Sequence, residues 1–229
     1  MLGKFINHCE DSLTAAVLTH LLQLPAEIFW KILYNACPTN CLPKNPGEPV
    51  SIDFWPNWNP DKTKNNTYVE PDVFVRFTDW DLIIEAKRWD RPMQDPNQWK
   101  NEVIAYANEY GSEKVHVSMI ALGGIWSTDD DKVIHDEIIC PVHMCKWSDV
   151  LAECQRMQRE LKNLKYPTSN THAYKRTLSH LIDLFSWHGF QTGVWFAEVV
   201  SNSKLPRLSP SIASHHLALK RIKPQLIHT

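Results

Sequence analysis

The hydrophobic and polar positions of this chain follow two different periods, one typical of helices and one of strands. Apolar residues spaced three and four apart predict helices over residues 7–22, 26–35, 95–110, 147–164, 171–187 and 212–222. Short runs rich in β-branched and aromatic residues predict strands over residues 50–55, 69–77, 82–87, 114–122 and 133–145. The two kinds of element alternate along the chain, so we expect a mixed α/β fold.

Residues 68–89, which read YVEPDVFVRFTDWDLIIEAKRW, carry the clearest local pattern. Turn-forming residues at 78–81 separate two apolar runs and predict a β-hairpin. Side chains alternate across a strand, so Glu85 and Lys87 share one face and Ala86 points to the other. The apolar run before them indicates a strand covered on both faces, where a charged side chain is costly unless it has a partner or a function.

The order of the elements predicts one sheet domain followed by an extension. A chain of 229 residues suits one sizeable domain with an appendage. We expect residues 1–165 to form the core, a central mixed sheet of four to five strands flanked by helices. In it, the connection from strand 82–87 over the helix to strand 114–122 would be a right-handed crossover if the two strands are parallel. Pro141 suggests that the last strand lies at a sheet edge. Residues 166–229 are expected to form a basic, mainly helical extension packed on the core.

Pro71-Asp72, followed on the next antiparallel strand by Glu85-Ala86-Lys87, resembles the signature of the PD-(D/E)XK nuclease superfamily, the restriction-endonuclease-like proteins. The resemblance implies a core of one helix, a three-stranded meander, a crossover helix and a fourth strand. It also implies that Asp72, Glu85 and the Ala86 carbonyl hold a divalent metal, and that Lys87 positions or activates water. Oxygen ligands suit Mg²⁺ (or Mn²⁺), which polarises a phosphoryl oxygen and acidifies water. The alternative is a hairpin closed by a surface Glu85–Lys87 pair.

Glu10 is the candidate that completes the metal site. It lies on the apolar stripe of the first predicted helix, and the superfamily often has an acidic residue on the helix before the sheet. The alternative is that Glu10 closes a capping box with Asn7 as N-cap and complements the helix dipole. Asp11 takes its place if the helix is rotated by one residue.

Gln98 is a further candidate, in the first turn of the helix after the Lys87 strand. Nucleases of this superfamily often carry a glutamine there, near the phosphate. The chain departs from the Gln-x3-Tyr pattern of some branches because position 102 is Glu. The alternative for Gln98 is a solvated helix start.

The charge distribution bears on nucleic-acid binding more than the net charge of −2 does. Residues 166–229 carry seven Lys or Arg against two acidic residues, and residues 1–165 carry 17 against 24. A basic extension on an acidic core could supply phosphate contacts, although a solvated tail explains it equally well. Arg88, Arg91 and Lys100 form a local basic cluster after the motif, and we expect them to contact nucleic acid.

The cysteines raise the question of a zinc site. Cys37 and Cys41 are separated by three residues, and Cys140 and Cys145 enclose His143. Four such ligands could hold zinc. Neither pair has the tight C-x2-C spacing, and free cysteine is commonly a small buried hydrophobe.

Two expectations concern exposure and location. Most tryptophans lie on apolar stripes, and Trp80, in the predicted turn, is the one we expect to be exposed. No apolar run approaches the roughly 18 residues that span a bilayer. The N-terminal residues lead directly into a polar capped helix and show no signal peptide. We therefore expect a cytoplasmic protein without membrane partners.

The sequence thus favours a Mg²⁺-dependent nuclease that hydrolyses phosphodiester bonds, with DNA favoured over RNA, in bacterial defence, restriction or repair. The alternative is a catalytically silent nuclease-fold module that binds nucleic acid or a partner protein. A third, weaker hypothesis is hydrolysis of a small nucleotide by the same metal chemistry. Double-strand cutting would favour a homodimer or a larger complex, since one metal site cuts one strand at a time.

Overall fold

The computed structural model of the protein describes residues 10–39, 41–89, 91–113, 116–125 and 127–192. Its helices are α1 Glu10–Leu22, α2 Ala26–Ala36, α3 Pro96–Tyr110, α4 Trp147–Lys162 and α5 Ser169–Trp187. Its strands are β1 Ser51–Phe54, β2 Val73–Arg76, β3 Asp81–Ala86, β4 Val117–Leu122, β5 Asp131–His135 and β6 Ile138–Cys145. The mixed α/β class is confirmed. The N-cap predicted at Asn7 and the helix predicted over residues 212–222 lie outside the described residues.

The strands form one open mixed sheet in the order β1-β2-β3-β4-β6-β5. β1, β2 and β3 are an antiparallel meander, with Val73 opposite Ile84 in the β2–β3 pair. β4 runs parallel to β3 after the α3 crossover, and β6 runs parallel to β4. The two strands of the predicted hairpin, β2 and β3, are therefore interior strands of the sheet, and the crossover helix follows β3.

Residues 133–145 differ from the prediction of a single strand, because they lie in the hairpin β5–β6. Two residues make its turn, and Asp136 adopts φ 51°, a conformation that aspartate tolerates better than most residues. The sheet therefore has six strands rather than four to five. The edge position predicted from Pro141 is wrong, since β6 lies between β4 and β5. Proline is tolerated because the pairing with β4 starts only at Val142, one residue later.

Hydrophobic clusters cover both faces of the sheet. On one face, Ile84 and Ala86 pack with α1, α2, α4 and α5. On the other face, Ile83 packs with α3. All six residues of β3 are buried, which explains their nearly continuous apolar run. α5, predicted within the extension, contributes Leu178, Leu181 and Phe185 to the first cluster, and residues 193–229 lie outside the described part.

Trp80 is buried rather than exposed, with 8% of its surface accessible, so this prediction is wrong. Its ring stacks on Phe77 at 4.6 Å between centroids and meets the edge of Trp30 on α2 at 5.3 Å. The turn is tighter than predicted, because Asp81 already belongs to β3. This fully buried carboxylate accepts a hydrogen bond from the Tyr106 hydroxyl at 3.0 Å. The tight turn holds Trp80 against α2.

Within the described residues, no helix combines the length and apolar character that crossing a membrane requires.

A candidate active site beside strand β3

Asp72 and Glu85 form the centre of the candidate site. The β2–β3 register places Asp72 directly across from Glu85, one step beyond the Val73–Ile84 pair. Both carboxylates are buried, with 8% and 2% of their surface accessible. Asp72 Oδ2 accepts a hydrogen bond from the Ala86 backbone N–H at 2.8 Å. Adjacent strands therefore bring together two carboxylates from positions 13 residues apart in the sequence.

Trp55 supports the same carboxylate from the end of β1. Its indole N–H donates to Asp72 Oδ1 at 3.1 Å, and its backbone N–H donates to the Asp72 carbonyl at 3.1 Å. The residue adopts φ 49°, which is uncommon for a bulky side chain and turns the chain at this point. Trp55 thereby fixes the orientation of the Asp72 carboxylate.

Lys87 lies on the same face as Glu85, as strand alternation predicts. Its ammonium forms an ion pair with Glu85 Oε1 and lies 3.7 Å from Glu10 Oε1. Only 14% of the Lys87 side chain is exposed, so the alternative of a solvated surface pair does not hold. One ammonium thus lies between carboxylates from two elements of the fold.

Glu10 reaches the site from the first turn of α1. Its Oε2 accepts a hydrogen bond from the Arg88 backbone N–H at 2.9 Å. Asp11 is exposed, so Glu10 rather than Asp11 faces the end of β3. Asn7, the predicted N-cap partner of Glu10 in a capping box, lies outside the described residues.

Gln98 is also drawn into the site. Its side-chain amide donates to Glu85 Oε1 at 2.7 Å from the first turn of α3. Asp95 begins that helix, accepting a hydrogen bond from the Asn97 N–H at 2.9 Å, and Pro96 follows it. This helix start places Gln98 over the sheet, so Gln98 is not a merely solvated residue.

Glu102 belongs to the site, although sequence reasoning did not assign it a role. It follows Gln98 by one helical turn, is only 1% exposed, and its carboxyl group contacts that of Glu85. Within the described residues, neither Glu102 oxygen accepts a hydrogen bond from a donor group. The i,i+4 spacing from Gln98 was the available signal, because it places both side chains on one helix face.

Gln94 is a second residue that sequence reasoning missed. Its buried amide donates to the Glu85 carbonyl at 3.0 Å and to the Gly123 carbonyl at 3.1 Å, and its oxygen accepts from the Trp99 indole at 2.9 Å. Gln94 therefore joins the backbone of β3 to the chain after β4 and to α3. A loop glutamine carries no sequence pattern that reveals such contacts.

We expect Gln94→Leu to lower the free energy of unfolding by roughly 2–4 kcal/mol, because the partners of a buried amide lose their hydrogen bonds at about 1–3 kcal/mol each. Urea denaturation measures the change. Gln158→Leu is the control, since Gln158 lies on α4 and, among the described residues, accepts a hydrogen bond from the exposed Lys162 alone. Its effect is expected within about 0.5 kcal/mol. Equal urea midpoints for the two variants would contradict this role of Gln94.

Gly123 and Gly124 allow the chain to pass close to Lys87. Both have positive φ, 68° and 64°. A Cβ atom on Gly124 would lie 2.6 Å from the Lys87 Cβ, and one on Gly123 would lie 2.2 Å from the Lys87 carbonyl oxygen. That carbonyl also accepts a hydrogen bond from the Trp147 indole at 2.8 Å. The sequence indicated only that these glycines end the strand.

The electrostatics follow from burial and from the excess of carboxylates. Burial, then the charge of Asp72, raises the pKa of Glu85 to about 7. Burial likewise raises the pKa of Asp72, and burial together with Glu85 raises the pKa of Glu102 well above its ordinary value. Burial lowers the pKa of Lys87, but its attraction to Glu85 outweighs this and the net pKa is raised. Lys87 is therefore a cation that only partly compensates the carboxylates.

The residues fit a hard divalent cation chemically. Their donors are carboxylate oxygens, which Mg²⁺ and Mn²⁺ prefer, and the Glu102 oxygens have no donor partner in the described part of the chain. Within that part, no three His, Cys, Asp or Glu side chains are grouped closely enough to hold a metal ion as they stand. Lys87 instead contacts the Glu85 oxygen that a cation would need. Binding of a metal would therefore require the lysine to move aside.

Two of the three predicted nucleic-acid contacts meet around one exposed tryptophan. The guanidinium carbons of Arg88 and Arg91 lie 4.5 Å and 6.0 Å from the ring centre of Trp89, which is 41% exposed. Lys100 is exposed on α3. Arginines stacked on an accessible indole beside Lys87 can contact phosphates and bases.

The four cysteines considered for zinc do not converge. Cys140 and Cys145 lie in the hydrophobic clusters on opposite faces of the sheet. Cys37 is buried and Cys41 is exposed. His143 instead contacts Asp130, with 2.8 Å between Nδ1 and Oδ2. These cysteines therefore serve packing, apart from the exposed Cys41.

No protein-family model, curated protein or solved structure matches this chain.

Proposed function

We propose that this chain is a divalent-metal-dependent nuclease with a core of the PD-(D/E)XK kind. The observation that carries the proposal is the facing pair Asp72 and Glu85, with Lys87 hydrogen-bonded to Glu85 at the end of an interior strand. The βββαβ order and the parallel β3–β4 pair also suit such a core. The cost of burying these charges supports a functional reason for them.

Asp72, Glu85 and the Ala86 carbonyl would hold Mg²⁺ or Mn²⁺, with Glu10 completing the set. When bound, the ion would stabilise charge on the phosphate and acidify water. Lys87, released from Glu85, would orient the attacking water or, after losing a proton to solvent, take the proton of that water as a neutral amine. Gln98 would hold the Glu85 carboxylate in place.

The substrate we propose is DNA rather than RNA, and the setting is bacterial defence, restriction or repair in the cytoplasm, alone, as a homodimer or in a larger complex. A silent module that binds nucleic acid or a partner protein is the second candidate. The Lys87–Glu85 ion pair favours it, because Lys87 already occupies the Glu85 oxygen and offsets the charge of that carboxylate without a metal.

Incubation with supercoiled plasmid and with single-stranded DNA and RNA, in Mg²⁺, Mn²⁺ or EDTA, tests the proposal. We expect cleavage that requires the metal and is faster on DNA. Intact substrates in every reaction would favour the silent module, and cleavage that persists in EDTA would contradict the metal chemistry.

We expect Arg88→Ala combined with Arg91→Ala to weaken DNA binding at every sequence. The dependence of log affinity on log salt concentration should become shallower by roughly one to two, because each phosphate contact contributes about one. Titration of a fluorescent oligonucleotide in EDTA at several salt concentrations measures this. Lys132→Ala on β5, the strand at the opposite edge of the sheet from β1, is the control. An unchanged slope in the double variant would remove these arginines from the interface.

A further inference from the structure

An open pocket of about 410 Å³ lies directly beside the carboxylates. Its walls are residues 64–70 and the first two turns of α3. Two of its lining residues, Gln98 and Glu102, are the α3 residues that contact Glu85. Its volume falls within the roughly 300–1,000 Å³ typical of small-molecule pockets. A group bound there would lie next to the proposed reaction centre.

The loop wall of the pocket is fixed by hydrogen bonds to α3. The Asn108 side chain donates to the carbonyls of Asn59 at 3.0 Å and Asp61 at 2.7 Å. The Lys64 backbone N–H donates to Asn101 Oδ1 at 3.3 Å. An antiparallel bridge between Trp58 and Val69 joins the two ends of the loop. The pocket is therefore preformed and does not depend on a ligand to order the loop.

The lining is rich in carboxamides, which offer both a donor and an acceptor. Four of them, Asn65, Asn97, Gln98 and Asn101, line the pocket together with Val69. Asn101 Oδ1 accepts the Lys64 backbone N–H, and within the described residues its amide nitrogen makes no hydrogen bond. Paired amide groups of this kind recognise the donor and acceptor edges of nucleobases.

The charges around the pocket disfavour a phosphate. Among the described residues that line it, Lys64 is the one cation, against the exposed carboxylates of Glu70 and Asp95. A neutral ring that carries amino and carbonyl groups meets no such repulsion. The combination of amides, one apolar wall and a negative rim fits a base better than a phosphate or a sugar phosphate.

We propose that this pocket takes up a nucleobase, that of the nucleotide beside the bond to be cut, turned out of its strand. The proposal rests on the proposed nuclease function and adds that the substrate is read at one base. An unstacked base is recognised by hydrogen bonds to its edge in a shaped pocket. Asn101 would supply them together with the second amide hydrogens of Asn65 and Asn97, whose first hydrogens bond the Tyr68 carbonyl at 3.0 Å and Asp95 Oδ1 at 3.0 Å.

Binding of dAMP, dGMP, dCMP and TMP to the full chain in Mg²⁺, measured by calorimetry, tests the proposal directly. 2-Deoxyribose 5-phosphate, which lacks a base, is the matched ligand. At least one nucleotide should bind roughly tenfold more tightly than the sugar phosphate. Asn101→Asp, which keeps the acceptor for Lys64 and loses the amide donor, should remove that preference or change which base is favoured. Asn163→Asp at the end of α4 introduces the same charge change outside the pocket and should leave the base preference intact.

The outcomes separate the two proposals. Base-selective binding that is altered by Asn101→Asp supports nucleobase recognition by the pocket. If no nucleic acid is cut in the same preparation, the nuclease function fails and base recognition stands. Equal binding of nucleotides and sugar phosphate, or no binding of either, overturns the proposal that the pocket takes up a nucleobase. If the wild type nevertheless cuts DNA in a metal-dependent way, the nuclease function survives without it.

Discussion

Lys87→Ala is expected to lower the rate of metal-dependent cleavage by about 10²–10⁴-fold while the protein still binds its metal. Removal of a group that orients or deprotonates water costs a factor of this size. The ammonium now contacts Glu85 Oε1, so its removal frees a ligand oxygen and should strengthen metal binding. Single-turnover cleavage and a metal titration, performed on the same variant, measure the two opposite effects.

Glu85→Gln is the matched comparison, since it should lose both metal binding and cleavage. Lys132→Ala, on the edge strand β5, should change neither. Circular dichroism of each variant confirms that the fold persists. Cleavage by Lys87→Ala at the wild-type rate would remove Lys87 from the chemistry and leave it as the partner of Glu85.

The second large effect is a loss of stability as pH rises, measured without metal. The folded-state pKa of Glu85 is raised from 4.5 to about 7, so folding favours its protonated form. The stabilisation is complete below pH 4.5 and is lost as the pH rises through 7. At about 1.4 kcal/mol for each factor of ten in proton affinity, Glu85 alone contributes roughly 3 kcal/mol. Burial also raises the pKa of Glu102 well above its ordinary value, so Glu102 adds to the loss of stability as the pH rises.

Urea denaturation in EDTA between pH 5 and pH 9 measures this loss. Glu102→Gln keeps a hydrogen-bond donor toward Glu85 and removes one titrating group, so it should flatten the pH dependence and stabilise the protein at pH 8. Glu137→Gln, in the exposed β5–β6 turn, should change little. The raised pKa of Lys87 affects stability only above pH 10.5, where the amine loses its proton, so Lys87 does not alter the pH dependence in this window. Stability that rises from pH 5 to pH 8 would contradict the buried, coupled carboxyl groups.

Strand alternation and helix phase made part of the site predictable. Glu85, Lys87 and Ala86 take their faces from the period of two, and Gln98 takes its place from the capped start of α3. These are local rules that hold wherever the element forms. Asp72 was assigned from the resemblance alone, and it is the observed pairing of Val73 with Ile84 that places it across from Glu85.

Long-range packing decided the remainder. Gln94 gains its role only because Gly123 and Trp99 come within hydrogen-bonding distance. Trp80 is buried because α2 covers the hairpin turn, which the sequence of the turn does not encode. Pro141 was misplaced because its strand acquires a second neighbour only one residue later. Such contacts depend on how elements assemble, so residue patterns within one element do not reveal them.

The role of Glu102 depends both on its local helical spacing and on long-range packing. Its helical spacing from Gln98 was readable, yet a glutamate on a helix usually indicates a solvated face. Only the sheet beneath α3 shows that this glutamate is buried against Glu85. A buried carboxyl group without a donor partner within the described residues is costly, and the proposed divalent cation gives it a function.

Titration of Mn²⁺ into the wild-type protein and into Asp72→Asn, followed by calorimetry, tests the central claim most directly. The proposed site predicts saturable binding to the wild type, binding at least tenfold weaker in Asp72→Asn, and unchanged binding in Glu137→Gln. Absence of binding to the wild type, or equal binding to wild type and Asp72→Asn, would contradict a metal-dependent active site at Asp72 and Glu85.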